Sequence, residues 1–160
     1  METQTKNMIP VRFLFNEEIR LTGITEFGLS WKDLVSGKST LPPAGACFDV
    51  SFEGVVSGPS IEGVKKGVDH LEVRADGKFI LNLYAVITSS SGDSISVQET
   101  GVLIPAPDGS AIGKLRLNMR LHSHSAGYNW LNTIEVWGDG YIDMLQGSGS
   151  VNAFILEDEG

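Results

Sequence analysis

Two of the chain's three histidines, His122 and His124, stand one residue apart, shortly before the aromatic-amide run Tyr128-Asn129-Trp130-Leu131-Asn132. On a strand, residues i and i+2 project from one face, so both imidazoles could reach a single zinc, iron or manganese ion. Tyr128, Asn129, Trp130 and Asn132 combine stacking surface with amide hydrogen bonds, a mixture suited to a small organic molecule. The alternative is structural: Trp130 and Leu131 plug one end of a barrel while the asparagines satisfy turn backbone.

The metal reading is the alternative rather than the main expectation. The pair lacks the nearby Glu that cupin-like proteins place after His-x-His, and its face continues through Arg120, Asn118 and Arg116, as a solvated face does. Leu115, Leu117, Met119 and Leu121 form the opposite, core-facing stripe. No phosphate loop, dinucleotide fingerprint or Gly-x-Ser-x-Gly is present, and no cofactor is expected.

These residues have to be positioned by strands. Short β-rich runs fall near 10–15, 18–25, 46–56, 70–75, 78–88, 94–103, 114–123, 133–138 and 150–157, separated by turn residues. One short helix is expected at Trp31-Lys32-Asp33-Leu34-Val35, capped by Ser30 and ended by Gly37. Eight or nine antiparallel strands with one helix predict an all-β chain, a single antiparallel barrel over residues 1–160 of lipocalin or calycin type, because closure removes exposed edges. A β-sandwich is the alternative. Residues 1–9 and 157–160 are expected to fray.

Asp76-Gly77 reads as a two-residue hairpin turn. That register pairs His70 with Leu83, and the next hairpin sets Leu83 against Glu99 if Ile87 faces Ile95. His70, Leu83 and Glu99 would then form one row across three strands, with His70 as acid or base and Glu99 as its orienter. A one-residue slip would undo the row. The register also has a conflict: Leu71 and Val73 ask to face inward on the first strand, whereas Phe79, Leu81 and Leu83 ask for the other face. A partly polar lumen or a barrel wall buried in a dimer would account for it.

The bulk composition limits partners. At 160 residues with 41% hydrophobic and 20% charged side chains, the chain suits a globular domain. A net charge of −8 opposes nucleic-acid binding. No run is long enough to span a membrane and no signal peptide is visible, so a cytoplasmic protein is expected. Cys47, the lone cysteine, is expected to be a small core residue rather than a nucleophile. Trp31 and Trp137 are expected to pack.

Gly58-Pro59-Ser60-Ile61-Glu62-Gly63, then Gly67-Val68-Asp69-His70-Leu71-Glu72-Val73-Arg74-Ala75-Asp76-Gly77, the hairpin through Gly92 and Tyr128-Asn129-Trp130-Leu131-Asn132 occur in this order. Together they resemble the bacterial and fungal family called domain of unknown function 3237, over about residues 17–156. The resemblance implies a compact β-barrel, often self-associating, and supplies no catalytic residues. His70 departs from it, standing where many relatives have Trp.

The functional expectation is therefore a small-molecule-binding barrel, an isomerase, cyclase or lyase for a partly apolar metabolite. His70 and Glu99 would be catalytic, with Tyr128, Asn129, Trp130, Asn132 and Arg120 as ligand contacts. Two alternatives stand beside it: a metal-dependent enzyme using His122 and His124, and a non-catalytic module whose outer face makes a homodimer or binds another protein.

Overall fold

The computed structural model describes residues 8–157. Eight strands, β1 (Val11–Glu26), β2 (Ala46–Ser57), β3 (Glu62–Val73), β4 (Phe79–Ser89), β5 (Ser94–Pro105), β6 (Ile112–His122), β7 (Val136–Asp143) and β8 (Ser148–Leu156), pair antiparallel in sequence order. β8 returns to β1 and closes the barrel. The two expected strands at 10–15 and 18–25 are one strand. The polar pair Asn16-Glu17 divides them in the sequence, although Glu17 takes an inward position on the continuous strand; register shifts lie within each half, at Phe13/Phe15 and Leu21/Gly23. The expected fraying concerns mostly residues outside the described ones; at their margin, the Glu157 N–H donates to the Pro10 carbonyl.

Connections alternate between two ends. The end reached by the tops of β1, β3, β5 and β7 carries the expected helix α1 (Trp31–Val35), whose first turn is capped by the Ser30 hydroxyl accepting from the Asp33 N–H at 3.1 Å. The other end carries a 3-10 helix, Asn129–Thr133. No described helix is long and apolar enough to cross a membrane.

One turn corrects the expected register. Arg74 N–H donates to the Lys78 carbonyl and Gly77 N–H to the Arg74 carbonyl, so three residues, 75–77, form the loop. Gly77 takes φ +86°, and no described non-glycine residue has positive φ, so Asp76 cannot occupy the first centre of a type I′ turn. A three-residue loop with glycine last keeps strand twist through a bulge. Val73 thus faces Phe79, and Asp69, not His70, faces Leu83. Leu71, Val73, Phe79 and Leu81 now share the inner face, which removes the conflict in the sequence pattern. The second hairpin keeps its expected pairing, Ile87 with Ile95 and Leu83 with Glu99.

The interior is layered. Toward the 3-10 end, Phe15, Ile87, Ile95, Met119, Leu131 and Val151 fill the barrel at near-zero exposure. An eight-strand barrel is narrow enough for such side chains to close it. Cys47, expected in the core, is exposed opposite Glu72, and Trp137, expected to pack, stands 42% exposed on the outer wall. Period-two alternation explains Cys47, since its neighbour Phe48 takes the inward position. Trp31 is buried, edge-on to Phe48 with ring centroids 5.1 Å apart.

Candidate functional site

The middle layer of the lumen is ionic. Lys65 of β3 lies between Glu17 of β1 and Glu99 of β5, and all three side chains are 1% exposed. Lys65 Nζ stands 3.0 Å from each Glu17 oxygen and donates to Oε1. It also donates to Glu99 Oε1. Its ammonium lies over the Phe52 ring, 5.6 Å from the centroid. Glu17 Oε2 is fully buried and receives no hydrogen bond among the described residues.

Glycine makes this cluster possible. Gly54 is the cross-strand neighbour of both Ile19 and Lys65. A Cβ there would fall 2.8 Å from Glu17 Cγ and 3.1 Å from its Oε2. The bare backbone is therefore the room through which the Glu17 carboxylate reaches Lys65.

Asp69, four residues beyond Lys65 on the same face of β3, is the fourth inward ionisable group among the described residues. The ladder between β3 and β4 opens beside it, and its Oδ1 accepts the Asn82 N–H at 2.9 Å in place of a backbone carbonyl. Burial raises its carboxyl from the usual 3.8 to about 6, against the lowering effect of the Asn82 hydrogen bond and with a further push from Glu99. Burial likewise raises Glu99, opposed by Lys65. For Lys65, burial favours the neutral amine, but the two carboxylates outweigh it and hold the ammonium above its ordinary range. Lys65 is thus a fixed positive charge and not a neutral amine nucleophile.

Between this layer and the α1 end lies a cavity of about 70 Å³, with Trp31 and Met144 at its roof and Leu71, Leu81, Leu103 and Leu115 among its walls. Glu17, Lys65, Asp69 and Glu99 all border it. Trp31 Nε1 donates to the Met144 carbonyl at 3.1 Å, tying α1 to the β7–β8 turn.

The residues singled out from sequence are scattered by comparison. Glu99 is in the lumen. His70 is on the outer wall, its side chain 53% exposed and its Nδ1 2.8 Å from Asp49 Oδ1; the one-residue longer turn put it there. Asn132 spans both backbone groups of Ser123, accepting from its N–H at 2.8 Å and donating to its carbonyl at 2.9 Å. Trp130 Nε1 donates to the Gly127 carbonyl, Tyr128 and Trp130 pack on the core from outside, and Asn129 is exposed. The segment closes the end opposite the cavity, with Leu131 as the plug. Arg120 lies on the outer face with His122. The His122 and His124 rings meet edge-on, 4.8 Å between centroids. Among the described residues no three His, Cys, Asp or Glu side chains gather as a metal would need.

Glu17, Lys65 and Asp69 went unnoticed in the sequence, although a signal was present. Glu17-Glu18 and Lys65-Lys66 are like-charged neighbours within strands, and period two must send one member of each pair inward.

Solved structures share the architecture. A protein with unknown function from Clostridium acetobutylicum ATCC 824 is 17% identical with TM-score 0.74, over 93% of this chain and 100% of its own. A beta-barrel like protein from Acinetobacter baumannii AYE is 20% identical with TM-score 0.72, over 94% and 99%. An enzyme from Penicillium herquei is 20% identical with TM-score 0.66, over 93% and 95%. No curated protein matches the chain. The model of the family described as Protein of unknown function (DUF3237) matches residues 44–144, and the chain belongs to that family.

Proposed function

We propose that the lumen binds a small, partly apolar metabolite and catalyses proton transfer on it, as an isomerase, cyclase or lyase of the cytoplasm. The observation that carries this reading is Asp69: a carboxyl raised to about 6 that borders an apolar cavity whose lining also includes the buried Lys65. A group poised near neutral pH both takes and returns a proton efficiently. Asp69 replaces His70 as the acid or base. In the forward step its carboxylate accepts a substrate proton, and the Lys65 ammonium stabilises the negative charge left behind. The proton returns to another substrate atom, so no oxidant or cofactor is consumed. Closed up-and-down barrels are an architecture in which a single small ligand is held, and one structural relative is described as an enzyme.

The test is conversion without mass change. Wild type and Asp69→Asn are incubated in D2O with a panel of small ketones, enones and hydroxylated hydrocarbons, and deuterium uptake and isomer formation are followed by mass spectrometry. Turnover by wild type alone supports the reading. Equal turnover by a stably folded Asp69→Asn variant overturns it.

Self-association is a second reading, favoured by the outer wall. Val55 and Val64 are cross-strand partners, 57% and 43% exposed, and exposed Trp137 lines up with Phe154 and Phe13 across β7, β8 and β1. Sedimentation of wild type as a monomer at micromolar concentration would discard a stable homodimer.

A further inference from the structure

We infer that the β1–β2 connection carrying α1 is the lid of the lumen, and that it swings away to admit a ligand larger than the resting cavity. The inference rests on the reading of the lumen as a ligand site and says how that site is reached. The cavity of about 70 Å³ is about half of the ~150 Å³ apolar cavity that accepts benzene, so a six-carbon ring does not fit it as it stands. A boundary must yield. The walls are strands of a closed ladder, and widening them breaks backbone hydrogen bonds. The floor is the Glu17, Lys65 and Glu99 layer, whose buried charges depend on one another. Of the residues lining the cavity, only Trp31 and Met144 lie outside the strands.

This roof is held at one point. Residues 27–45 are the longest of the described connections, and loops of such length usually serve a function. Among the described residues, Trp31 Nε1 to the Met144 carbonyl is the one hydrogen bond from this connection to an element other than β1. Its other bonds are local or reach back to Glu26 at the end of β1. Trp31 is also its one buried side chain; Leu29, Leu34, Val35 and Leu41 pack on the core only partly buried. Gly28 and Gly37 flank α1 at φ +98° and +81°, with no atom within 4 Å of where a Cβ would stand. The helix can therefore pivot at both ends without disturbing packed neighbours. The opposite end is fastened differently. Asn132 clasps both backbone groups of Ser123, the Ser123 hydroxyl donates to the Ser94 carbonyl at 3.0 Å, and Leu131 is fully buried.

The test places one reporter thiol at either end of the lumen of the full-length Cys47→Ser protein. Leu81→Cys and, independently, Leu115→Cys report on the cavity wall; Met119→Cys reports on the plugged end. Labelling by methyl methanethiosulfonate is followed by mass spectrometry. The cavity thiols should react at least about tenfold faster than Met119→Cys, because a lid-open state populated at about 0.1–10% exposes them, whereas the plugged end opens only with global unfolding. Trp31→Phe keeps a ring in the roof but removes the donor to Met144. It should speed the cavity thiols about fivefold, the weight of one hydrogen bond, without speeding Met119→Cys. Equal rates at the two ends overturn the lid, as does cavity labelling that Trp31→Phe leaves unchanged or an acceleration it gives to both ends alike. Those results leave proton transfer at Asp69 to the deuterium experiment. Lid-dependent labelling without deuterium uptake sustains the entrance and removes the catalytic reading alone.

Discussion

The first three strands carry ion pairs on both faces, built from the same residue types. Outside, Arg20, Glu53 and Lys66 lie side by side across β1, β2 and β3, with contacts of 3.1 and 3.8 Å in open solvent. Inside, Glu17 crosses the bare Gly54 to meet Lys65 at 3.0 Å, both side chains almost fully buried. Screening reduces the outer row to about 0–1 kcal/mol per pair. The inner pair has lost its hydration, so each charge depends on its partner. Distance barely separates the two rows; the face of the sheet determines both their energetic weight and their capacity for chemistry.

The sharpest break of this contrast is removal of each lysine. Lys65→Met strands two buried carboxylates and should lower stability by about 3–5 kcal/mol at pH 7, measured by urea unfolding. The adjacent Lys66→Met should stay within about 0.5 kcal/mol. Similar losses for the two would erase the distinction between faces.

Asp69 extends the contrast along the pH axis. With its carboxyl at 3.8 when unfolded and about 6 when folded, the native state holds a proton that the unfolded chain releases between these values. The stabilisation present below about 4 is therefore lost as pH rises through about 6, a change of about 3 kcal/mol. Asp69→Asn, which still accepts the Asn82 N–H, should flatten that slope and gain about 1–3 kcal/mol at pH 7.5. An unchanged slope would place the titration elsewhere.

Smaller effects sharpen the picture. Gly54→Ala should cost about 1–3 kcal/mol through the collision with Glu17; no loss would show that the carboxylate has another place to go. At the low end, Arg20→Ala and the outward His70→Gln should each shift stability by no more than about 0.5 kcal/mol, seen as nearly unchanged urea midpoints.

The barrel was legible because alternation and turn glycines are local signals. The helix at Trp31–Val35 and the pairing of Leu83 with Glu99 follow from capping chemistry and from the Ser89–Asp93 turn. The site was harder, since it depends on register, and one loop residue decides which of Asp69 and His70 enters the barrel. The conflicting inward claims of Val73 and Phe79 already argued against a two-residue turn. In β1, the polar pair Asn16-Glu17 concealed a continuous strand, because a buried charge breaks the apolar alternation that marks one. The Tyr128–Asn132 segment looked like a site because aromatic and amide groups serve equally well to plug a barrel and bind a ligand. Only the position of Leu131 and the Asn132–Ser123 clasp separate these roles.

Trp31 gives the lumen its own optical gauge. Trp130 and Trp137 are open to solvent to different extents, whereas the indole of Trp31 is shielded and forms part of the cavity roof. Aqueous iodide should therefore quench the emission of the first two and leave a protected component from Trp31. A ligand entering beneath that indole would alter the protected component's wavelength and lifetime, so occupancy could be followed without a label and before any product is known.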